Sequence, residues 1–467
     1  MSALEFNEPR KTFLTPLKNI GTWLCFLIAM YFAVSAAFAL LNFERYGTAI
    51  PQFLRYILVP LLIMLVYLLA PFLVGRQKVL MTGIYSLSIL AALFLSEALL
   101  TARVVPVLLG SLGQLDDEQR RELEQEERMI RGFTLPYLNI KAEVETLSES
   151  KLSGFPGART LLCSQPEGAL VYTADRYGFN NPDSVYDNAP EVVVIGDSFT
   201  EGFCLPEGED LVAAMREKGM HAVSFGIRGN GPLLEMAAIG RYGPSVRPDH
   251  VVMAFFEGND WRNLQYELSQ PWLREALDPD ADFGSALSPP PETEDRFWAA
   301  IQNRTQHQVT TFDLLHRTPI VRNFFALHRT GQALGLIYPK VPPAVPEFET
   351  VLKRTKSIVE GWGGAFSLLF IPDVARYAGL LPNGFALDHL RQMVLEAAAA
   401  ADVDVIDLTP IFHGEPKPKQ RFYAANGHFS EEGADFAAAI VANALRDDGQ
   451  DRLVDRSSGD DGKDAIR

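Results

Sequence analysis

Ser198 is the residue of this chain best placed to do chemistry. It sits in Val192-Val-Val-Ile-Gly-Asp-Ser-Phe-Thr-Glu-Gly202, where four β-branched residues run into Gly-Asp-Ser. Such a run predicts a buried parallel strand ending in a tight turn that carries a hydroxyl. Open α/β sheets bind their ligands at the carboxyl ends of strands, so a serine there is placed as a nucleophile. The spacing is not the Gly-x-Ser-x-Gly elbow, because Thr200 stands where the second Gly belongs. The plainer reading is a turn in which Asp197 accepts backbone hydrogen bonds.

Three further segments favour chemistry. Phe225-Gly-Ile-Arg-Gly-Asn-Gly-Pro232 follows the strand candidate His221–Phe225. Val251-Val-Met-Ala-Phe-Phe-Glu-Gly-Asn-Asp260 is a second apolar run, ending in Gly-Asn-Asp. Asn426-Gly-His428-Phe-Ser-Glu-Glu-Gly433 opens a late helix. Ser198, Gly229 and Asn259 are about one βαβ unit apart. A right-handed doubly wound sheet brings such strand ends to one edge. A serine to attack, an imidazole to take its proton and N–H donors for an oxyanion make a hydrolytic set.

These blocks, from roughly Leu170 to Leu445, resemble the SGNH (GDSL-like) hydrolase superfamily. Tyr172-Thr-Ala-Asp-Arg-Tyr-Gly-Phe-Asn-Asn181 is also similar to the Gly-Phe strap of a membrane-associated bacterial subgroup. The resemblance implies a three-layer flavodoxin-like α/β fold, Ser198 as nucleophile and His428 as base. It further implies an oxyanion hole of Ser198 N–H, Gly229 N–H and the Asn259 side chain.

One position departs from the family. An Asp usually stands two or three residues before the His, and here those positions hold Asn426 and Ala425. An acid there fixes the imidazole tautomer and stabilises the imidazolium. Three readings follow: Asn426 orients His428 in a weakened triad, Ser198 and His428 act as a dyad, or the protein is a pseudoenzyme. Asp407 is a candidate distant acid, although an Asp ending a strand commonly caps the next element.

Composition narrows the partners. The chain has 467 residues and a net charge of −16; residues 1–110 carry +4, leaving −20 on the rest. An acidic globular part argues against nucleic acid and against docking on anionic lipid. Of three cysteines, Cys25 lies in an apolar run, and Cys163 and Cys204 pair only in an oxidising compartment. The other histidines lack ligand spacing, and Gly226-x-x-Gly229-x-Gly231 is no dinucleotide fingerprint, so neither metal nor cofactor is expected. Asp260, beside Asn259, reads as a cap rather than a substrate ligand.

Thr22–Asn42, Tyr56–Val74 and Val79–Leu100 are apolar runs of spanning length. Ala37-Phe-Ala39 resembles a signal-peptidase site, but the long leader with Arg10, Lys11 and Lys18 fits an uncleaved anchor better. Those three residues with Arg76 and Lys78 outnumber Arg45, Arg55 and Arg103. The positive-inside rule then predicts three inner-membrane spans with the catalytic domain extracytoplasmic.

The expected organisation is an anchor at 1–110, then a charged helical stalk and strand-poor linker at 111–165. An α/β domain follows at 166–446, with a disordered tail at 447–467. The charged helix is placed at 115–131. Strands are expected at 192–195, 222–225, 251–256, 366–371 and 403–406. Helices are expected at 210–218, 233–242, 348–361, 387–400 and 431–446. Residues 262–348, with Ser288-Pro-Pro-Pro291, read as a mostly helical insertion, either a lid near the active edge or a small core of its own. The expected function is acyl-ester cleavage through an acyl-serine, as an esterase or an O-acyltransferase on an envelope or exported polysaccharide. The alternative is a carbohydrate-binding pseudoenzyme in a polysaccharide export assembly.

Overall fold

The computed structural model describes residues 19–459 except 48–49, 117–118, 120, 122–128, 287–290, 307–308, 318, 338–344 and 381–383. Arg10, Lys11, Lys18, most of the charged stalk, Ser288–Pro290 and the last eight residues lie outside these. The chain forms two compact units, one of 1–103 with 319–341 and one of 104–318 with 342–467.

In the first unit, three helices are long and apolar enough to cross a membrane: Ile20–Leu41, Leu54–Leu73 and Arg76–Ser111. All three predicted runs are therefore helices. The first two pack on one another. Their outward faces keep Leu, Val, Ile and Phe exposed, which suits a lipid solvent rather than water. The second opens with a π-helical turn at Leu54–Leu58. Helices Ile320–Phe325 and His328–Leu334 of the predicted insertion belong to this unit.

The second unit holds two sheets. The larger joins β4 (Val192–Gly196), β5 (Ala222–Gly226), β6 (His250–Phe256), β7 (Ala365–Ile371) and β8 (Asp404–Asp407). All pairs are parallel, in the order β5-β4-β6-β7-β8. This is the flavodoxin-like order, and every expected strand of the α/β core is present. β4, β5 and all but the end of β6 are buried, which explains why they read as continuous apolar runs. Helices Leu211–Glu217, Pro232–Val246, Glu347–Glu360 and Phe385–Ala400 connect the strands. The closing helix packs back on Leu211–Glu217 and buries Ala434, Ala438 and Val441 against Met215 and Phe412.

Three expectations need correction. Met129–Arg131, placed in the charged helix, is instead β1, paired in parallel with β2 (Arg159–Gln165), which pairs with β3 (Gly168–Thr173). Ile130 is buried while its two neighbours are only partly so, a strand alternation too short to register beside so many charges. The linker also contains the helix Leu135–Lys141, with Leu135, Leu138 and Asn139 buried. The closing helix runs from Glu431 to Gly459, into the tail read as disordered. That stretch has no proline, and a single internal Gly449 does not stop a helix. Finally, the insertion is divided between the two units. Its helix Pro291–Gln306 packs on Leu135–Lys141 and β1, burying Phe297 and Ile301 there.

Candidate active site

The site is built at the carboxyl edge of the five-stranded sheet. β4 ends at Gly196, and Asp197 caps the four-residue helix Ser198–Glu201 by accepting from Phe199 N–H at 2.9 Å. Ser198 is thus the first residue of a helix, with its hydroxyl beside the cap. Asp197 serves the backbone, as the turn reading expects.

His428 arrives from the far end of the chain. An antiparallel bridge between Tyr423 and Phe429 closes a turn in which Ala424 N–H donates to His428 O at 2.9 Å. Gly427, at φ +88°, supplies the left-handed residue that this turn requires. The result brings His428 Nε2 to 2.8 Å from Ser198 Oγ. Ser198 Oγ also lies 3.3 Å from Asp197 Oδ2, and Asn259 Nδ2 donates to that same oxygen at 3.2 Å. Ser198, His428 and Asn259 therefore converge. Gly229 lies on the loop after β5, with φ +77°. That loop is held by Asn263 Nδ2 on Asn230 O at 2.9 Å and by Glu267, which accepts from Gly231, Leu233 and Leu234 N–H.

Asn426 does not meet the imidazole. Its Oδ1 accepts from His428 backbone N–H at 3.0 Å, so it shapes the turn rather than the ring. Asp407 does not stand behind the ring either. It accepts from Thr409 N–H at 2.8 Å and pairs with Arg391 at 2.6 Å, the capping role. Asp260 likewise accepts from Phe256 N–H and is buried. Among the described residues, His428 Nδ1 is buried with no hydrogen-bond partner.

Aromatic rings hold the imidazole instead. Phe199 lies 5.0 Å and Phe203 4.7 Å from it, centroid to centroid. Phe203 is backed by the Arg228 guanidinium, 5.0 Å from its ring. Glu201 fixes Arg228 with two bonds of 2.8 and 2.9 Å, and Tyr172 O–H donates to Glu201 at 3.2 Å. Cys204, next to Phe203, is disulfide-bonded to Cys163 of β2, with Cα atoms 5.4 Å apart. The strap preceding β4 closes the same corner. Asn181 exchanges two bonds of 2.8 Å with the Ser224 backbone, Asn180 Nδ2 donates to Glu201 O, and Phe179 stacks on Phe225. The clamp residues Phe199, Phe203, Arg228 and Glu201 were not singled out from the sequence. Their only signal is the i, i+4 spacing of Phe199 and Phe203 beside the serine.

Electrostatically the site keeps protons off its histidine. Burial, then the Arg228 charge, pushes the His428 imidazole down to about 4. Burial raises Asp197 to about 6 against its hydrogen bonds. Beneath it, Glu235 and Asp260 are raised well above the usual carboxylate range, by burial first and then by neighbouring carboxylates. His428 can act as a base only through the tautomer with Nδ1–H, and a buried N–H without an acceptor costs about 1–3 kcal/mol. The other tautomer gives Nε2–H to Ser198, whose hydroxyl then donates to Asp197. Among the described residues, no group of three or more His, Cys, Asp or Glu is arranged to hold a metal ion.

Residues 374–458, which include His428, match the model of the SGNH hydrolase-like domain of the acetyltransferase AlgX. That match covers less than a fifth of the chain. The chain's solved structural neighbours include a lipase/acylhydrolase from Enterococcus faecalis, at 14% identity and a TM-score of 0.28, covering 54% of this chain and 94% of that one. Another is the acetyl xylan esterase AlAXEase, at 14% identity and a TM-score of 0.30, covering 54% and 98%. No curated protein matches the chain in sequence. The chemistry of this site is therefore read from its own geometry.

Proposed function

We propose that the protein is a membrane-anchored serine esterase or O-acyltransferase working through an acyl-Ser198 intermediate. The observation that carries this reading is the 2.8 Å contact between Ser198 Oγ and His428 Nε2 at the carboxyl edge of the sheet. In the proposed reaction, Nε2 takes the hydroxyl proton as Oγ attacks the acyl carbonyl. Ser198 N–H, Gly229 N–H and Asn259 Nδ2 receive the oxyanion. Collapse expels the alcohol, which takes the proton back from Nε2. Water or a sugar hydroxyl, deprotonated in turn by His428, then releases the acyl group. The substrate is proposed to be an acyl ester, such as an acylated glycan of the envelope or an exported polysaccharide; a sugar hydroxyl of such a polysaccharide is the acceptor in the transferase case. The three apolar helices, with the predominance of basic residues on one side, support an inner-membrane anchor with the SGNH-like domain outside. The Cys163–Cys204 bond fits that oxidising compartment.

One observation favours a second reading. His428 Nδ1 has no acceptor, which suits a carbohydrate-binding pseudoenzyme as well as a slow dyad. Hydrolysis of p-nitrophenyl acetate and labelling by a fluorophosphonate separate the two. The enzyme reading expects both, and expects Ser198→Ala to abolish both. A wild-type protein that shows neither, and transfers acetyl to no offered glycan, is the pseudoenzyme.

A further inference from the structure

The first unit contains an apolar cavity of about 640 Å³, walled by all three spanning helices and by the 319–337 segment. Its volume lies in the range of about 300–1,000 Å³ usual for small-molecule sites. Phe32, Phe38, Tyr56 and Phe325 are among its walls, and Arg55 and Arg322 bring two guanidinium groups to it.

Its depth in the membrane follows from the helices. Ser35, Phe38 and Ala39 lie near the carboxyl end of the first span, and Arg55 and Tyr56 near the amino end of the second. Leu93 is 17 residues beyond Arg76, roughly 26 Å along the third at 1.5 Å per residue. All three point to one face of the hydrocarbon layer, the face at which Arg55 opens the second span.

The 319–337 segment is fastened there by polar contacts inside the same unit. Tyr31 O–H donates to Phe325 O at 2.9 Å. Glu97, fully buried on the third span, accepts from Arg329 and Thr330 N–H at 3.0 and 2.7 Å. A carboxylate inside a spanning helix is costly, so its use as a cap marks a built arrangement. Gly331 leaves room for the cation, because a Cβ there would lie 2.7 Å from Arg55 Nη2.

We propose that this cavity holds one acyl chain of an anionic membrane phospholipid, with the phosphate at Arg55 and Arg322. The apolar walls match the chain, and the two guanidinium groups at headgroup depth match the phosphate. The inference rests on the membrane-spanning role of the three helices. A full-length chain that stayed soluble without detergent would remove that role, whatever it bound.

Delipidated full-length protein in detergent is titrated with phosphatidylglycerol and phosphatidylcholine of identical chains, read by native mass spectrometry. One phosphatidylglycerol should bind at least tenfold more tightly than phosphatidylcholine. Arg55→Gln with Arg322→Gln should remove the difference, and Gly331→Leu should weaken the anionic lipid. Equal retention of the two lipids by wild type would overturn the proposal, as would an unchanged preference in the double variant. Should the variants fail to fold, wild type decides alone. A phosphatidylglycerol with a diazirine near the chain end should label peptides containing Phe38, Tyr56 or Phe325. Labelling spread evenly over the outer faces of the spans means ordinary boundary lipid and rejects the site.

Discussion

Ser198 and His428 stand or fall as a pair. Alanine at either should lower esterase turnover by about 10³-fold or more, and the double variant should be little worse than either single, because the two act as a unit. Asn426 behaves differently from a triad member. Its oxygen already serves His428 N–H, and an aspartate oxygen would serve it equally. Asn426→Asp should therefore change turnover by less than about threefold, whereas a restored acid behind the ring would raise it well beyond that. A large gain in that variant would show that the side chain reaches the imidazole after all. Burial and Arg228 hold the His428 pKa down to about 4, below the 6.5 of a free imidazole. Nitrogen NMR of labelled protein should find this ring neutral at pH 6. The unfolded chain takes up that proton first, so this group removes stability as pH falls from about 6.5 to about 4. A ring found half-protonated near pH 6.5 would mean the aromatic clamp does not seal it.

At the scale of elements, the Cys163–Cys204 bond and the Phe203–Arg228–Glu201 chain buttress the imidazole by packing, without giving Nδ1 an acceptor. The bond ties β2 to the residue that follows Phe203, closing a separation of 41 residues. Replacing both cysteines by serine should cost about 2–4 kcal/mol of stability. It should also lower kcat more than KM, since the ring is loosened while the substrate contacts stay. Phe203→Ala should reproduce the kinetic change without the thiols, and Phe203→Tyr should restore most of the rate. Equal losses in kcat and KM for all three would assign these residues a merely structural role. The core strands were legible because runs such as Val192–Ile195 are buried on both faces and need no periodicity to be seen. The meeting of Ser198 and Asn259 was legible because parallel topology brings the ends of β4 and β6 to one edge, whereas His428 comes on a turn beyond the last strand. The clamp was hidden because it depends on the rings of Phe199 and Phe203 meeting His428 from the far end of the chain, which no local spacing encodes. β1 was hidden by brevity, and the split of the 262–348 insertion between two units by its uniformly helical pattern.

For the whole molecule, orientation is the property that governs the rest. Alkaline phosphatase fused after Gly110 should be active, and a cytoplasmic reporter at that junction should be silent. The reverse result would place Cys163 and Cys204 in a reducing compartment and leave the ring clamp without its tether. The distance along the chain between nucleophile and base has a consequence for biosynthesis. A ribosome that has delivered the anchor, Ser198 and all five strands of the larger sheet has still not delivered His428. The helix that must fold back on Leu211–Glu217 comes later still. On the proposed mechanism, a chain stopped short of that turn is chemically silent. On that mechanism, reactivity begins only after the turn that carries His428 has been made, so the serine is not loaded while the five strands are still arriving.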